Sequence, residues 1–194
     1  MTKEEMLKFA RKNWVPVLRD RSADFLCELV SKSQPKKILE IGTSIGYSGI
    51  LMLENSPKAN LITIEKDSEK SREALENFKE AGLLEKVKII NDDAGKIIKD
   101  LANQNKKFNL IFLDGPKGQY TNYLETLKKL LEKGGYLVAD DILYHGLVKG
   151  GYPKHKHRTI VFRLREFIEK ISTDKDFETT ILEIEDGISV SKLK

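Results

Sequence analysis

The sequence predicts an open α/β fold whose mainly parallel sheet closes with an antiparallel hairpin. Short apolar runs alternate with longer amphipathic ones through the middle of the chain, the pattern of βαβ units with a sheet covered on both faces. The first apolar run leads through a glycine turn into a helix, and the last two runs flank Asp186-Gly187, a tight-turn pair. A length of 194 residues suits one domain with its own core.

In chain order, residues 2–33 read as two capping helices, Lys3–Asn13 and 21–32, parted by Val15-Pro16-Val17, where proline disfavours helical continuation. Lys37–Ile41 is the first strand and 47–54 the helix after it. Asn60–Glu65 follows as a strand, then a helix over 68–81 with Ala74, Leu75 and Phe78 at three-to-four spacing and Gly82 as its C-terminal stop. Strands Val87–Asn91, Phe108–Leu113 and 136–139 alternate with helices over 95–103 and 120–132. Beyond Asp141 a loop rich in glycine and basic residues precedes a helix over 159–171, and the runs 177–184 and 188–192 form the hairpin.

Composition excludes several classes. No apolar run approaches the roughly 18–20 residues of a membrane span. The opening MTKEEMLKFARKNW has no apolar signal-peptide core, and a lone Cys27 rules out an internal disulfide framework or a Cys-rich zinc site. A soluble, cytoplasmic protein with no membrane partner is expected. The net charge of +4 does not by itself point to nucleic acid.

The turn Glu40-Ile41-Gly42-Thr43-Ser44-Ile45-Gly46-Tyr47-Ser48 carries the first chemical signal. Glycine lets backbone approach a ligand closely, and free N–H groups at a helix start favour an anion or carboxylate. Ser44 stands where a dinucleotide fingerprint needs its second glycine, and no Gly-Lys pair completes a P-loop. Two glycines also suit an ordinary α/β turn. Glu65, closing the second strand, favours a ligand, because an acid there accepts both ribose hydroxyls of a nucleoside cofactor. Asp93-Ala94 adds a third loop at the same sheet edge, where open α/β sheets bind ligands.

A second signal lies further on. Asp114 ends the fourth strand and Asp140-Asp141 the fifth, so neighbouring strands would gather three carboxylates at one rim. Carboxylates beside apolar strands need a cation or a basic partner, and hard oxygen ligands suit Mg²⁺, or Mn²⁺ or Ca²⁺. Successive strand residues face opposite sides, so Asp140 and Asp141 act together only if the strand turns there. Otherwise Asp141 caps a turn.

Together, E-I-G-T-S-I-G-Y-S, I-T-I-E, D-A, L-D-G-P-K-G-Q-Y and V-A-D-D-I-L resemble the cation-dependent O-methyltransferases, from about Val15 to the Asp186-Gly187-Ile188 hairpin. That family includes catechol and caffeoyl-CoA enzymes and bacterial tRNA hydroxyuridine methyltransferases. The resemblance implies a class I methyltransferase fold, a Rossmann-like three-layer sandwich with a seven-stranded sheet. It implies S-adenosylmethionine and Mg²⁺ or another divalent cation as cofactors, and a homodimer. Glu40, Gly42, Ser48, Glu65, Asp93, Ala94 and Asp114 become the cofactor set, with Gly42 and Ser48 at the methionine moiety, Glu65 at the ribose and Asp93-Ala94 at the adenine edge. Asp114, Asp140 and Asp141 become the metal ligands, and Asp114 and Lys117 the catalytic pair. Where the family pattern reads Asp-Asn, this chain has Asp140-Asp141, which makes the site more negative and opens the question of whether Asp141 touches the ion directly. Lys117, partly buried beside a cation, would have its neutral form favoured and serve as general base; an ordinary solvated lysine is the alternative.

The acceptor is read from charge. Between positions 149 and 165 lie six Lys or Arg, two His and no acid. Either this is a solvated basic face, or Lys149, Lys154, Lys156 and Arg158 contact RNA phosphates while the pocket reads one base. Ser189 stands where catechol-methylating relatives carry an acid, which weakens a catechol acceptor. The favoured function is methylation of 5-hydroxyuridine in tRNA. The alternatives are a methyltransferase of small catechol-like phenols and a non-enzymatic S-adenosylmethionine- or RNA-binding module. Cys27, Tyr120 and Tyr123 are expected to pack, Trp14 to anchor the first helices, with a place over the substrate mouth as its alternative, and His155 and His157 to lack a third zinc ligand.

Overall fold

Alternating strand and helix patterns produce alternating strands and helices in the computed structural model, which describes residues 2–150 and 153–194. The strands are β1 (Lys37–Ile41), β2 (Asn60–Glu65), β3 (Val87–Asn91), β4 (Phe108–Leu113), β5 (Leu131–Ala139), β6 (Phe177–Leu182) and β7 (Ile188–Leu193). The helices are α1 (Lys3–Asn13), α2 (Asp20–Ser33), α3 (Tyr47–Asn55), α4 (Ser68–Glu80), α5 (Ala94–Asn103), α6 (Tyr120–Leu130) and α7 (Arg158–Thr173). The sheet is seven-stranded, in the order β3-β2-β1-β4-β5-β7-β6. β1, β2 and β3 pair in parallel, as do β4 and β5, whereas β7 runs antiparallel to both β5 and β6. No described helix is long and apolar enough to cross a membrane. Contacts divide the chain into two compact units, Met1–Ile97 and Ile98–Lys194.

In the first unit, Ile38, Leu39 and Ile41 of β1 are all buried, because a parallel strand is covered on both faces. A capping box starts α1: Thr2 accepts from the Glu5 amide at 3.2 Å and the Glu5 carboxylate accepts from the Thr2 amide at 2.7 Å. The buried stripe of α4 is Ser71, Ala74, Asn77 and Phe78. Leu75, expected on that stripe, is 41% exposed, one position off the helical period. Gly82 (φ +69) ends α4 as predicted: the Leu83 amide donates to the Phe78 carbonyl at 2.9 Å and the Gly82 amide to that of Lys79 at 3.0 Å. Trp14 does not anchor the first helices. It is 92% exposed at the end of α1, with φ 56, because Met6 and Ala10 supply the buried face of that helix.

In the second unit, α6 ends at Leu130 and β5 begins at Leu131, earlier than the expected 136–139. The pairing slips between Phe108↔Leu131 and Leu110↔Tyr136. Gly134 (φ +78) and Gly135, where a Cβ would sit 2.8 Å from the Glu132 carbonyl oxygen, accommodate the irregularity. Tyr120 packs edge-on against Phe167 of α7, ring centroids 5.5 Å apart. The hairpin turns through Glu185 (φ 49) and Gly187 (φ 85), and β6 stops at Leu182 rather than 184. Gly151 and Tyr152, in the basic loop, lie outside the described residues.

One close approach fixes how α3 lies against α4 and β2. A Cβ on Gly49 would stand 2.7 Å from the Phe78 ring and 2.9 Å from Leu61. Gly49→Ala should therefore destabilise the protein by ~1–3 kcal/mol through overpacking, read as a lower denaturation midpoint. Gly118→Ala, with nothing within 4 Å, should cause no such loss.

Candidate active site

In the first unit the glycine turn rests on a buried carboxylate. Glu40, fully buried near the end of β1, accepts from the Ser48 hydroxyl of α3 at 2.5 Å and from the Thr63 hydroxyl of β2 at 2.7 Å. A buried acid is tolerable only when hydrogen-bonded in this way, and the bonds tie α3 to the sheet beneath the glycine turn. Glu40 and Ser48, both expected at the cofactor, therefore engage each other, and both are buried. Gly42 (φ 100), Ser44 (φ 49) and Gly46 (φ 86) bend the turn itself. Asn77 of α4 holds it from below, donating to the Ile45 carbonyl at 2.9 Å, and a Cβ on Gly46 would meet Phe78 at 3.0 Å.

Glu65 sits where the ribose argument requires an acid. Its carboxylate accepts the amides of Ser44 and Asp67, both at 2.9 Å, so it joins the glycine turn to the start of α4 and retains lone pairs for further donors. Asp93 takes the cap position of α5: its carbonyl accepts from Lys96 and Ile97, and Lys66 lies 3.3 Å from its carboxylate. The hydrogen bond from Lys66 holds Asp93 below the usual carboxylate range. Ala94, half-buried, opens that helix.

In the second unit, Asp114, Asp140 and Asp141 each place a carboxylate oxygen within 4.8 Å of the others. Asp141 adopts φ 57, so the chain does turn after β5, and both adjacent aspartates serve the same cluster. Lys117 lies among them, 2.7 Å from Asp114 and 3.1 Å from Asp141. Tyr120, which packs as expected, also braces the corner: its buried hydroxyl bonds the Leu113 carbonyl at 3.0 Å and that of Asp140 at 3.3 Å, joining the ends of β4 and β5. Hard carboxylate oxygens at such spacing fit Mg²⁺ or a similar cation.

The electrostatics of Lys117 follow from its neighbours. Burial works against the Lys117 ammonium, but Tyr120, Asp114 and Asp141 outweigh it and hold the lysine protonated above its ordinary range. With these groups alone around it the lysine is the counter-ion of the carboxylates, whereas the expected neutral form belongs to a site that also holds a cation. Burial raises Asp114 against the pull of Lys117. Asp140 is pushed up to about 7, first by burial and then by Asp114 and Asp141.

The loop beyond the cluster contains residues the sequence did not single out. Leu143 donates its amide to the Asp186 carbonyl at 2.7 Å, His145 pairs with the Asp186 carboxylate at 3.2 Å, and the Tyr144 hydroxyl lies 3.0 Å from His157 Nδ1. Tyr144 and His145 both have positive φ, which no local motif announces. Ser189 is fully buried and pairs in the sheet with Ala139 and Ile181, and its hydroxyl has no hydrogen-bond partner among the described residues. Of the basic run, Lys149 pairs with Glu183, Arg163 with Glu166 at 3.0 Å, and Arg165 donates to the Leu147 and Val148 carbonyls. Lys154, Lys156 and Arg158 are exposed.

Known proteins resemble this chain in sequence and in fold. Residues 3–194 match the model of a family described as O-methyltransferase. The catechol O-methyltransferase of Niastella koreensis is 33% identical over 162 residues, covering 82% of this chain and 72% of its own. The caffeoyl-CoA O-methyltransferase of Populus kitakamiensis is 29% identical over 187 residues, covering 92% and 77%. An O-methyltransferase from Bacillus cereus, crystallised with SAH, superposes with a TM-score of 0.89 at 25% identity, covering 100% of this chain and 90% of that one.

The raised Asp140 has a measurable consequence. Between the ordinary carboxylate value and about 7, the folded protein holds a proton that the unfolded chain has lost. Stability should therefore fall as pH rises through that window, by at most ~4 kcal/mol. Chemical denaturation from pH 4 to 8 would show the decline, and Asp140→Asn should flatten it.

Proposed function

This chain belongs to the O-methyltransferase family and is an S-adenosylmethionine-dependent O-methyltransferase; we propose that its acceptor hydroxyl is deprotonated beside Asp114, Asp140 and Asp141, with Lys117 as general base. The observation that carries this reading is the lysine lying among three converging carboxylates. A binding module has no use for such an arrangement.

Asp114, Asp140 and Asp141 would hold a divalent cation. When bound, that cation supplies the positive charge that lowers the pKa of an acceptor hydroxyl. Lys117 would lose its hold on Asp114 and Asp141 as they turn to the cation, and the same charge would lower its own pKa toward the range a base needs. Its neutral Nζ would then take the hydroxyl proton, and the oxygen would displace the sulfonium methyl in line, with no covalent enzyme intermediate. In the first unit Gly42 would admit the methionine moiety and Glu65 the ribose hydroxyls, while Asp93-Ala94 would border the adenine. Glu40 and Ser48 would support the turn from within rather than contact the cofactor.

For the acceptor, we infer 5-hydroxyuridine in tRNA. Support comes from Lys154, Lys156 and Arg158, exposed on the approach to α7 and available to phosphates. A small catechol-like phenol is the second reading, favoured by the catechol and caffeoyl-CoA relatives. Incubation with labelled S-adenosylmethionine and Mg²⁺, separately with hypomodified tRNA and with a phenol panel, decides between them; methyl transfer to phenols alone would overturn the tRNA assignment.

Two variants test the parts. Lys117→Ala should lower the turnover rate on the order of 10²–10⁴-fold, with the deficit shrinking at higher pH as the acceptor ionises unaided. A pH-independent deficit would make Lys117 a positioning residue. Replacing Lys154, Lys156 and Arg158 together with Ala should weaken tRNA binding and reduce the slope of log K against log salt by roughly 0.7–0.9 per lost contact, measured by filter binding across a salt series.

A further inference from the structure

Among the described residues, the most exposed aromatic side chain lies outside everything assigned so far. Trp14 is 92% exposed where α1 ends, held there by a left-handed backbone at φ 56. The chain around it is basic in sequence: between Glu5 and Asp20 it carries Lys8, Arg11, Lys12 and Arg19 and no acid. Lys8, Arg11 and Lys12 are exposed. Its position is also defined. Two residues on, the Pro16 carbonyl accepts from the Ser44 hydroxyl at 3.0 Å, and the Ser44 amide donates to Glu65. The segment bearing Trp14 is thus tethered to the glycine turn.

We propose that Trp14, with Lys8, Arg11 and Lys12, is a contact for single-stranded RNA, the indole stacking on an unpaired base and the cations taking the flanking phosphates. The inference rests on the tRNA reading and deepens it, adding a second RNA contact beside the cofactor turn. An aromatic platform among cations is how proteins hold unpaired nucleotides, since every base has a face to stack on. Two other occupants fit less well. A membrane surface needs a helix with an apolar face turned outward, whereas the apolar residues of α1 are buried, as Met6 and Ala10 are, or half-buried, as Leu7 and Phe9 are. A second copy docked through this patch about a two-fold axis would bring Arg11 and Lys12 against the same cations.

Trp14 is the only tryptophan in the chain, so its fluorescence reports the patch directly. A short oligouridylate should quench the emission, and the effect should fade with salt. Trp14→Ala should weaken binding of the oligouridylate about tenfold, Trp14→Phe less, and neither should change the melting temperature. Replacing Lys8, Arg11 and Lys12 with Ala should lower the salt slope by roughly 0.7 for each contact. The proposal is overturned if the oligonucleotide fails to bind, or binds without altering the emission. It is equally overturned if the emission answers only to anionic phospholipid vesicles, or only to the concentration of the protein itself. The two readings fail separately. Methyl transfer to tRNA with Trp14 silent removes this contact and leaves the acceptor assignment, whereas quenching by RNA in an enzyme that methylates only phenols does the reverse.

Discussion

Everything in the second unit turns on how three carboxylates coexist within 4.8 Å at the ends of two strands. Like charges so close, half-buried beside apolar strands, cannot stand without positive charge among them. Lys117 provides it, and Tyr120 keeps the strand ends joined beneath. The strain of a left-handed Asp141 is accepted for the same purpose, since only that turn brings its carboxylate round to its neighbours.

The first unit solves a different problem with similar means. A turn that must let a ligand reach its backbone cannot be filled with side chains, so it has to be held from outside. Glu40 holds α3 through Ser48, Asn77 holds the Ile45 carbonyl, and Glu65 holds the Ser44 amide. These are polar groups with defined hydrogen-bond geometry, which fix an open loop more sharply than apolar packing would.

The basic residues divide by what they touch rather than by where they fall in the sequence. Of the six between 149 and 165, Lys149, Arg163 and Arg165 serve the fold, pairing with acids or loop carbonyls. Lys154, Lys156 and Arg158 stand in solvent, and α1 carries four more exposed cations, Lys3, Lys8, Arg11 and Lys12, ahead of an exposed indole. Charge counting finds both groups but overstates the first, half of whose cations serve the fold.

By itself the sequence determined the order of strands and helices, because burial on both faces or on one stripe writes a local period that the residues must obey. It also determined the placement of the glycine turn, the acid ending β2 and the three aspartates, since each is fixed by its distance from a strand end. Tertiary structure decided what no local pattern encodes. The slip that starts β5 at Leu131 depends on what Phe108 and Leu110 meet on another strand. The protonated state of Lys117 depends on carboxylates up to 24 positions away, and the burial of Ser189 on its partners in β5 and β6. Trp14 stays outside because Met6 and Ala10 had already filled the inner face of its helix. Periodicity is a property of neighbours in the chain, whereas charge state, register and exposure belong to neighbours in space.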